Sequence, residues 1–102
     1  MITVTEPAKQ EMKRLLATKV DWPGARLRLM DRGQGRLGLG IDIEAKDDEV
    51  VECDGIKLLL IQNGLASRLI DVTLDVDDTP QGPELVVCEK YPGCNILYDP
   101  VA

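Results

Sequence analysis

The residues best suited to chemistry lie near the carboxyl end, in the segment Cys88-Glu89-Lys90-Tyr91-Pro92-Gly93-Cys94. Two of the three cysteines in the chain flank this segment, and the chain contains no histidine. Pro92 favours the second position of a tight turn, and Gly93 tolerates a positive φ angle at the third. The segment can therefore bring Cys88 and Cys94 together, either as a disulfide or as two thiolate ligands of a metal.

The number of available ligands limits what these thiols can hold. Iron–sulfur clusters and structural zinc usually take four protein donors, whereas one chain offers three cysteines and no imidazole. A two-fold homodimer would supply four thiolates from Cys88 and Cys94 of its two subunits. Otherwise a carboxylate, glutathione or a thiol of a partner protein must complete the site. An exposed, incomplete site suits transfer of a metal better than its permanent storage.

The other residues that could do chemistry have simpler interpretations. Cys53 ends an apolar run, and a free cysteine in that position is commonly a small buried side chain, so we predict a structural role. The segment Gly33–Gly38 matches the dinucleotide-binding fingerprint, but that motif requires a following helix. Here Leu37–Ile43 alternates like a strand, which favours a hairpin connection. We predict a solvated strand face for the acidic residues Asp71, Asp75, Asp77 and Asp78.

Composition excludes several functions. A net charge of −6 argues against binding to nucleic acids or anionic membranes, which demand a basic surface. Without histidine or an evident pair of catalytic carboxylates, we expect no enzymatic activity. The sequence shows no signal peptide and no apolar run long enough to cross a membrane. We therefore expect a cytoplasmic protein, in a compartment where spaced cysteines serve metals or redox chemistry more often than structural bridges.

The first half of the chain predicts a helix between strands. A short strand at Ile2–Val4 leads to Thr5, a helix cap, and to Pro7 in the first helical turn. The helix has an apolar face made by Ala8, Met12, Leu15 and Leu16. Beyond Pro23-Gly24 the period changes to two, which predicts half-buried strands with inward-facing residues Leu27, Leu29, Leu37, Leu39, Ile41 and Ile43.

The second half predicts further strands and a short helix. Asp54-Gly55 lies between two apolar runs and is typical of a two-residue hairpin turn. We predict a short helix at Asn63–Leu69 with Leu65 and Leu69 inward. The remaining predictions are an alternating strand through Ile70, Val72, Leu74 and Val76, a polar loop at Asp77–Pro83 and a last strand at Glu84–Cys88. Together these elements predict a single α+β domain, 1–102, that is mainly antiparallel β with one substantial helix and a cysteine-bearing tail from residue 88.

Several segments resemble the HesB/IscA-like, or A-type, iron–sulfur carriers, and the resemblance spans nearly all of residues 1 to 88. The segments that carry it are Ile2–Ala8, Ala25–Leu29 with the Gly-rich loop that follows, Cys53–Leu60, Leu69–Asp75 and Gly82–Val87. The resemblance implies a compact β-sandwich-like fold with peripheral helices, often dimeric or tetrameric. It also implies a protein that holds iron or an iron–sulfur cluster and passes it to an apo-protein.

The chain departs from the pattern of that family at the ligands. Typical members have one cysteine in the Gly-rich loop and a Cys-Gly-Cys pair near the carboxyl end. Here the loop Arg32–Gly38 contains no cysteine, and the tail offers Cys88 and Cys94 instead. The resemblance places Gly33, Gly35 and Arg36 in the loop beside the metal site.

Three functions remain open from the sequence. The first is a divergent carrier that binds iron or an iron–sulfur cluster through Cys88 and Cys94 and works with assembly proteins or apo-protein recipients. The second is a protein-interaction module on the same fold without a cluster. The third is a small thiol–disulfide redox protein.

Overall fold

Eight strands and two helices follow one another in the residues that the computed structural model describes, which are 2–19, 22–33, 36–88 and 94–96. In chain order these elements are β1 (Thr3–Val4), α1 (Glu6–Lys19), β2 (Ala25–Gly33), β3 (Arg36–Ile43), β4 (Glu49–Cys53), β5 (Ile56–Ile61), α2 (Asn63–Ala66), β6 (Thr73–Thr79), β7 (Gly82–Cys88) and β8 (Cys94–Ile96). Within those residues, no helix is both long and apolar enough to cross a membrane.

The strands form two four-stranded sheets. The first sheet has the order β1-β6-β7-β8, and the second has the order β3-β2-β5-β4. Most neighbouring strands are antiparallel, as the sequence predicts, but β1 pairs with β6 and β2 pairs with β5 in parallel. The mainly β, α+β, sandwich-like fold is therefore confirmed, with two parallel pairs that local periodicity does not reveal.

Helix α1 begins where the sequence predicts. The backbone N–H of Ala8 donates to Thr5 Oγ1 at 3.3 Å, so Thr5 satisfies one of the first free amides of the helix. The same hydroxyl donates to Asp75 Oδ1 of β6 at 2.8 Å. One side chain thus caps the helix and fixes it to the first sheet.

The β4–β5 hairpin also forms as predicted. Asp54 has a φ angle of 54° and Gly55 a φ angle of 79°. Positive φ at both central residues is the geometry of a type I′ turn, whose twist matches that of the flanking strands. The hairpin places Cys53 directly opposite Ile56.

One aliphatic core joins α1 to both sheets. Met12 of α1, Leu27 of β2, Leu59 of β5 and Leu74 of β6 belong to this core, and none is more than 1% exposed. The chain has no phenylalanine, so leucine, isoleucine and valine supply most of the buried area. The alternating positions predicted for Leu27 and Leu29 face this core.

Two predictions around α2 and β6 are wrong in extent. Helix α2 ends at Ala66 rather than Leu69, although Leu65 and Leu69 are both buried as predicted. Ile70 is 65% exposed and lies in a turn, because the N–H of Val72 donates back to the carbonyl of Leu69 at 3.2 Å. The strand therefore begins at Thr73, and the alternation at Ile70 belongs to the turn.

The predicted polar loop at Asp77–Pro83 is also wrong. Strand β6 continues to Thr79 and β7 begins at Gly82, so only Pro80 and Gln81 connect them. Thr79 closes this turn, because its hydroxyl donates to the carbonyl of Gly82 at 2.7 Å and accepts from the N–H of Gln81 at 3.2 Å. Backbone pairing thus extends the hairpin beyond the apolar residues that make the strand recognisable in sequence.

Candidate functional site

The two tail cysteines occupy directly opposite positions in the first sheet. Cys88 ends β7, Cys94 begins β8, and the two are partners in the antiparallel register. Opposite residues in such a ladder have Cα atoms about 4.5 or 5.5 Å apart, within the range that a disulfide spans. The turn residues Tyr91, Pro92 and Gly93 lie outside the described part of the chain, but the strands on either side bring the cysteine positions together as the sequence predicts.

Cys88 lies on the face of the first sheet that points away from the core. Leu85 and Val87 of β7 belong to the core, so the alternation of the strand puts Val86 and Cys88 on the opposite face. Cys88 is half-buried and disulfide-bonded in the structure, whereas Cys53 is a free thiol. Cys88 thus lies where its sulfur can bond to another sulfur, on the outer face of the first sheet.

Carboxylates follow along the face of the sheet that carries Cys88, beginning two positions along β6 from the residue opposite it. The register puts Thr73 opposite Cys88, Asp75 opposite Val86 and Asp77 opposite Glu84. The pKa of Asp75 is lowered by the N–H of Val76, which donates to its carboxylate at 2.8 Å, and by the Thr5 hydroxyl. Asp75 is therefore charged at neutral pH. Negative charge beside a thiol disfavours the free thiolate and favours a bound cation.

The described residues alone do not complete a metal site. Within residues 2–19, 22–33, 36–88 and 94–96, no group of three or more histidine, cysteine, aspartate or glutamate side chains could hold a metal ion. A metal at Cys88 would therefore need donors from the rest of the chain, from a second chain or from a small thiol.

The Gly-rich loop belongs to the second sheet. Gly33 ends β2 with a φ angle of 85° and pairs with Arg36, which begins β3. The N–H of Gly33 donates to Asp31 Oδ1 at 2.8 Å, and Arg68 Nη2 contacts Asp31 Oδ2 at 2.8 Å. These contacts lower the pKa of Asp31, the Arg68 contact most strongly. A strand follows the loop, as predicted for a hairpin, and Gly35 lies outside the described residues.

The structure does not put this loop and the tail cysteines in one strand pair. Gly33 and Arg36 lie between β2 and β3 of the second sheet, and Cys88 lies at the end of β7 in the first. The expected position of the loop beside a metal at Cys88 therefore stays a prediction.

Cys53 has the structural position that the sequence predicts. Its side chain is 8% exposed and belongs to the core. Gln10 Nε2 donates to its sulfur at 3.8 Å, and the thiol donates to Asp54 Oδ2 at 3.6 Å. Burial raises the pKa of Cys53 above that of an ordinary thiol, and the adjacent Asp54 charge raises it further. Cys53 is thus held in the neutral form.

A groove of about 510 Å³ is a feature that sequence reasoning missed. It lies beside the end of β2 and the start of α2, and its lining includes Arg28, Asp31, Gln62 and Arg68. Both arginines already contact carboxylates, Arg28 with Asp48 at 2.6 Å and Arg68 with Asp31 at 2.8 Å. The groove therefore carries little uncompensated charge for an anionic ligand. No motif marks it, because its sides come from segments distant in sequence.

Comparison with known proteins agrees with this architecture. No protein-family model matches the chain. The chain is 38% identical over 87 residues to an uncharacterized protein in the nifU 5′ region of Azotobacter vinelandii, and the match covers 80% of this chain and 79% of that protein. It also superimposes on a crystal structure of IscA with a [2Fe–2S] cluster, with a TM-score of 0.60 and 17% identity over 96% of this chain and 98% of the other. The chain therefore belongs to the same family as the Azotobacter nifU 5′-region protein and has a HesB/IscA-like fold.

Proposed function

We propose that this protein is a non-enzymatic carrier that binds iron or an iron–sulfur cluster through Cys88 and Cys94 and delivers it during iron–sulfur cluster assembly. The observation that carries the proposal is the pairing of Cys88 with Cys94 in neighbouring strands. Two thiolates at opposite ladder positions can bind one iron ion together. The proposal is supported by the structural likeness to an IscA that was solved with a [2Fe–2S] cluster.

The bound iron or cluster is cargo, so the site must both accept and release it. Cys88 is half-buried on the face of the first sheet that points away from the core, so part of the site is within reach of another protein. The Asp75 carboxylate, two positions along the same face from Cys88, adds negative charge that favours a cationic cargo. The proposed partners are the cluster-assembly proteins that load the carrier and the apo-proteins that receive the cargo.

Reduction must precede loading, because Cys88 is disulfide-bonded in the structure. A thiol reductant supplies two electrons and two protons, which convert the disulfide into two thiols. Each thiol then loses its proton as its sulfur binds iron. Because the cytoplasm keeps thiols reduced, we place the loaded carrier there.

The remaining ligands come from outside the pair. A homodimer would bring four thiolates to one cluster, and a single chain would need glutathione or a thiol of the recipient protein. Ligands shared with the recipient would let the cargo move by thiolate exchange.

The disulfide favours a second candidate function, a thiol–disulfide redox protein. In that case Cys88 and Cys94 would exchange with external thiols without any metal. The distinguishing property is a reversible two-electron couple in a metal-free protein.

Anaerobic reconstitution of the reduced protein with iron and sulfide tests the carrier function. We expect bound iron, labile sulfide and a thiolate-to-iron absorption band in the wild type. The Cys88→Ser, Cys94→Ser double variant should lose all three, whereas the matched control Cys53→Ala should keep them. A reduced wild type that stays colourless and metal-free contradicts the carrier. Titration of that protein in glutathione buffers then tests the redox function, and a cluster-free interaction module is left if no two-electron couple is found.

A further inference from the structure

Strand β2 is longer than the strand that pairs with it on one side. In the second sheet, β5 pairs with β2 as far as Leu29, which lies opposite Ile61, the last residue of β5. Strand β2 then continues to Gly33 with β3 on its other side. Among the described strands, none takes the place of β5 beside Met30–Gly33. The second sheet is therefore open on one side of this segment.

The open segment has backbone groups that can bond to another strand. The N–H of Gly33 donates to Asp31 Oδ1 at 2.8 Å, so this group already has a partner. Successive residues of a strand direct their N–H and C=O groups to opposite sides, so either Met30 or Asp31 directs both groups away from β3. Open strand edges of this kind are templates for pairing with a further strand.

The groove of about 510 Å³ lies against this open side of β2. Met30 and Asp31 line it together with Gln62, which directly follows β5, and Gly64 of α2. Because the chain leaves the sheet after Ile61 and enters α2, it leaves a space where further residues of β5 would pair with β2. A volume of this size is typical of a site for a small ligand or a short peptide.

The charges in the groove favour an uncharged ligand. Every charged side chain in its lining contacts an opposite charge, Arg28 with Asp48 and Arg68 with Asp31. A ligand that carries a charge would therefore have to displace an existing ion pair. A neutral ligand can occupy the groove and leave both ion pairs in place.

The uncharged part of the lining resembles what a peptide main chain needs. The Gln62 side chain does not cap α2, and its carboxamide offers both hydrogen-bond donors and an acceptor. Leu65 is 7% exposed and Met30 is 39% exposed, and both add apolar surface to the groove. Met30 has a flexible side chain that adapts to different neighbours. Backbone amides, a side-chain amide and an adaptable apolar wall together fit an extended peptide.

We propose that the groove binds an extended, uncharged segment of another protein, which adds to the open side of β2 as a short strand. The backbone of Met30 or Asp31 bonds to the main chain of this segment, and the Gln62 carboxamide bonds to it from the other side. Strand addition takes its affinity from main-chain hydrogen bonds, and the side-chain contacts provide selectivity. No cysteine and no metal takes part, so the inference goes beyond the proposed carrier function.

A blocked, uncharged pentapeptide that alternates threonine and valine is the probe, titrated into the reduced, metal-free full chain. Heteronuclear NMR spectra should show shifts at the amides of Met30–Gly33 and at the Gln62 side chain, with a Kd of about 1 mM. The same peptide N-methylated at every amide keeps its side chains but loses its N–H donors, so it should cause no shift. The Cys88→Ser, Cys94→Ser variant should bind the probe like the wild type, which separates this result from the test of the carrier.

Gly64→Phe with the matched control Asn63→Phe tests where the peptide binds. Both positions are exposed in α2, but only Gly64 lines the groove. A Cβ atom at Gly64 meets nothing within 4 Å, so the aromatic ring can enter the groove without displacing the backbone. Gly64→Phe should weaken binding at least about tenfold, whereas Asn63→Phe should leave it unchanged. Circular dichroism should show native folding in both variants.

Gln62→Ala with the matched control Gln81→Ala tests the carboxamide. Gln81 lies in the turn between β6 and β7, away from the groove lining. Loss of the hydrogen bonds from Gln62 should weaken binding about fivefold, and Gln81→Ala should not change it.

The proposal is overturned if the blocked peptide shifts none of these resonances at millimolar concentrations, or if the N-methylated peptide binds equally well. It is also overturned if Gly64→Phe binds like Asn63→Phe, or if Gln62→Ala binds like Gln81→Ala. Shifts at Met30–Gly33 on dilution of the protein alone would overturn it too, because a second copy of the chain would then occupy the groove.

Discussion

Replacing Asp48 by asparagine tests what holds the connection between β3 and β4 to the second sheet. The Asp48 side chain is 2% exposed and makes two contacts with Arg28, Oδ1 to Nη1 at 2.9 Å and Oδ2 to Nη2 at 2.6 Å. Its Oδ2 also accepts the N–H of Ala45 at 2.7 Å. Arg28 also donates from Nε to Asp42 Oδ2 at 2.8 Å. Asp48 is thus the buried centre of a network and Asp42 its exposed edge.

The expected cost follows from these contacts. Asparagine keeps the shape and one acceptor oxygen but loses the charge and one charge-assisted hydrogen bond, worth roughly 1.5–3 kcal/mol. Because Asp42 still compensates Arg28, we expect Asp48→Asn to lower the free energy of unfolding by about 2 kcal/mol, or the Tm by roughly 10 °C. The matched variant Asp42→Asn removes a carboxylate that is 56% exposed and should cost about 0.5 kcal/mol.

The pH dependence of the difference provides a second measurement. Arg28 holds the pKa of Asp48 below its usual value, so ionised Asp48 stabilises the fold above the ordinary carboxyl pKa of about 4. This contribution is lost as the pH falls through the lowered folded-state pKa. Urea unfolding followed by circular dichroism should therefore show a constant gap between wild type and Asp48→Asn at neutral pH, and a shrinking gap in acid. Equal costs for the two variants, or a gap that persists in acid, would refute the reasoning.

Two further predictions concern the β4–β5 hairpin and its cysteine. Gly55→Ala should destabilise the protein by about 1 kcal/mol, because φ is 79° at this position. Gly64→Ala in α2 should stabilise the protein by up to about 1 kcal/mol, because a Cβ atom there meets nothing within 4 Å. Thermal melts in which both variants shift the Tm in the same direction would contradict this. In the Cys88→Ser, Cys94→Ser variant, Cys53 should react with iodoacetamide far more slowly than glutathione does and should regain normal reactivity in urea, because burial raises its pKa. Equal rates in the native and unfolded protein, measured by mass spectrometry, would contradict it.

Local patterns are sufficient for those elements whose determinants lie close together in sequence. The Thr5 cap, the apolar face around Met12 and the Asp54-Gly55 turn each depend on a few consecutive residues, and each forms as predicted. The prediction of a polar loop is wrong because a strand is recognised in a sequence by its buried apolar residues. Strand β6 continues past its last buried residue to Thr79 through backbone pairing with β7. The prediction of a strand at Ile70 is wrong for the opposite reason, because the alternation of apolar residues extends into a turn, where the backbone does not pair with another strand.

The candidate site could also be predicted only in part from local sequence patterns. The cysteines and the turn residues between them are visible in the sequence, and they predict that Cys88 and Cys94 can meet. The register that makes them direct partners depends on β8 joining β7, which no local pattern indicated. The metal, the ligands beyond the two thiolates and the role of the Gly-rich loop stay predictions.

The sequence by itself determined the helix, most of the strands, the aliphatic core and the type of chemistry available, because these depend on composition, periodicity and turn residues. The tertiary structure alone decided the two parallel strand pairs, the Arg28–Asp48 network and the open edge at β3. The parallel strand pairs and the Arg28–Asp48 contacts join segments that are not consecutive in the chain. The open edge at β3 depends on the absence of a further partner among the described strands. Contacts of that kind depend on how the whole chain packs around one core, and a short segment of the sequence carries no information about that packing.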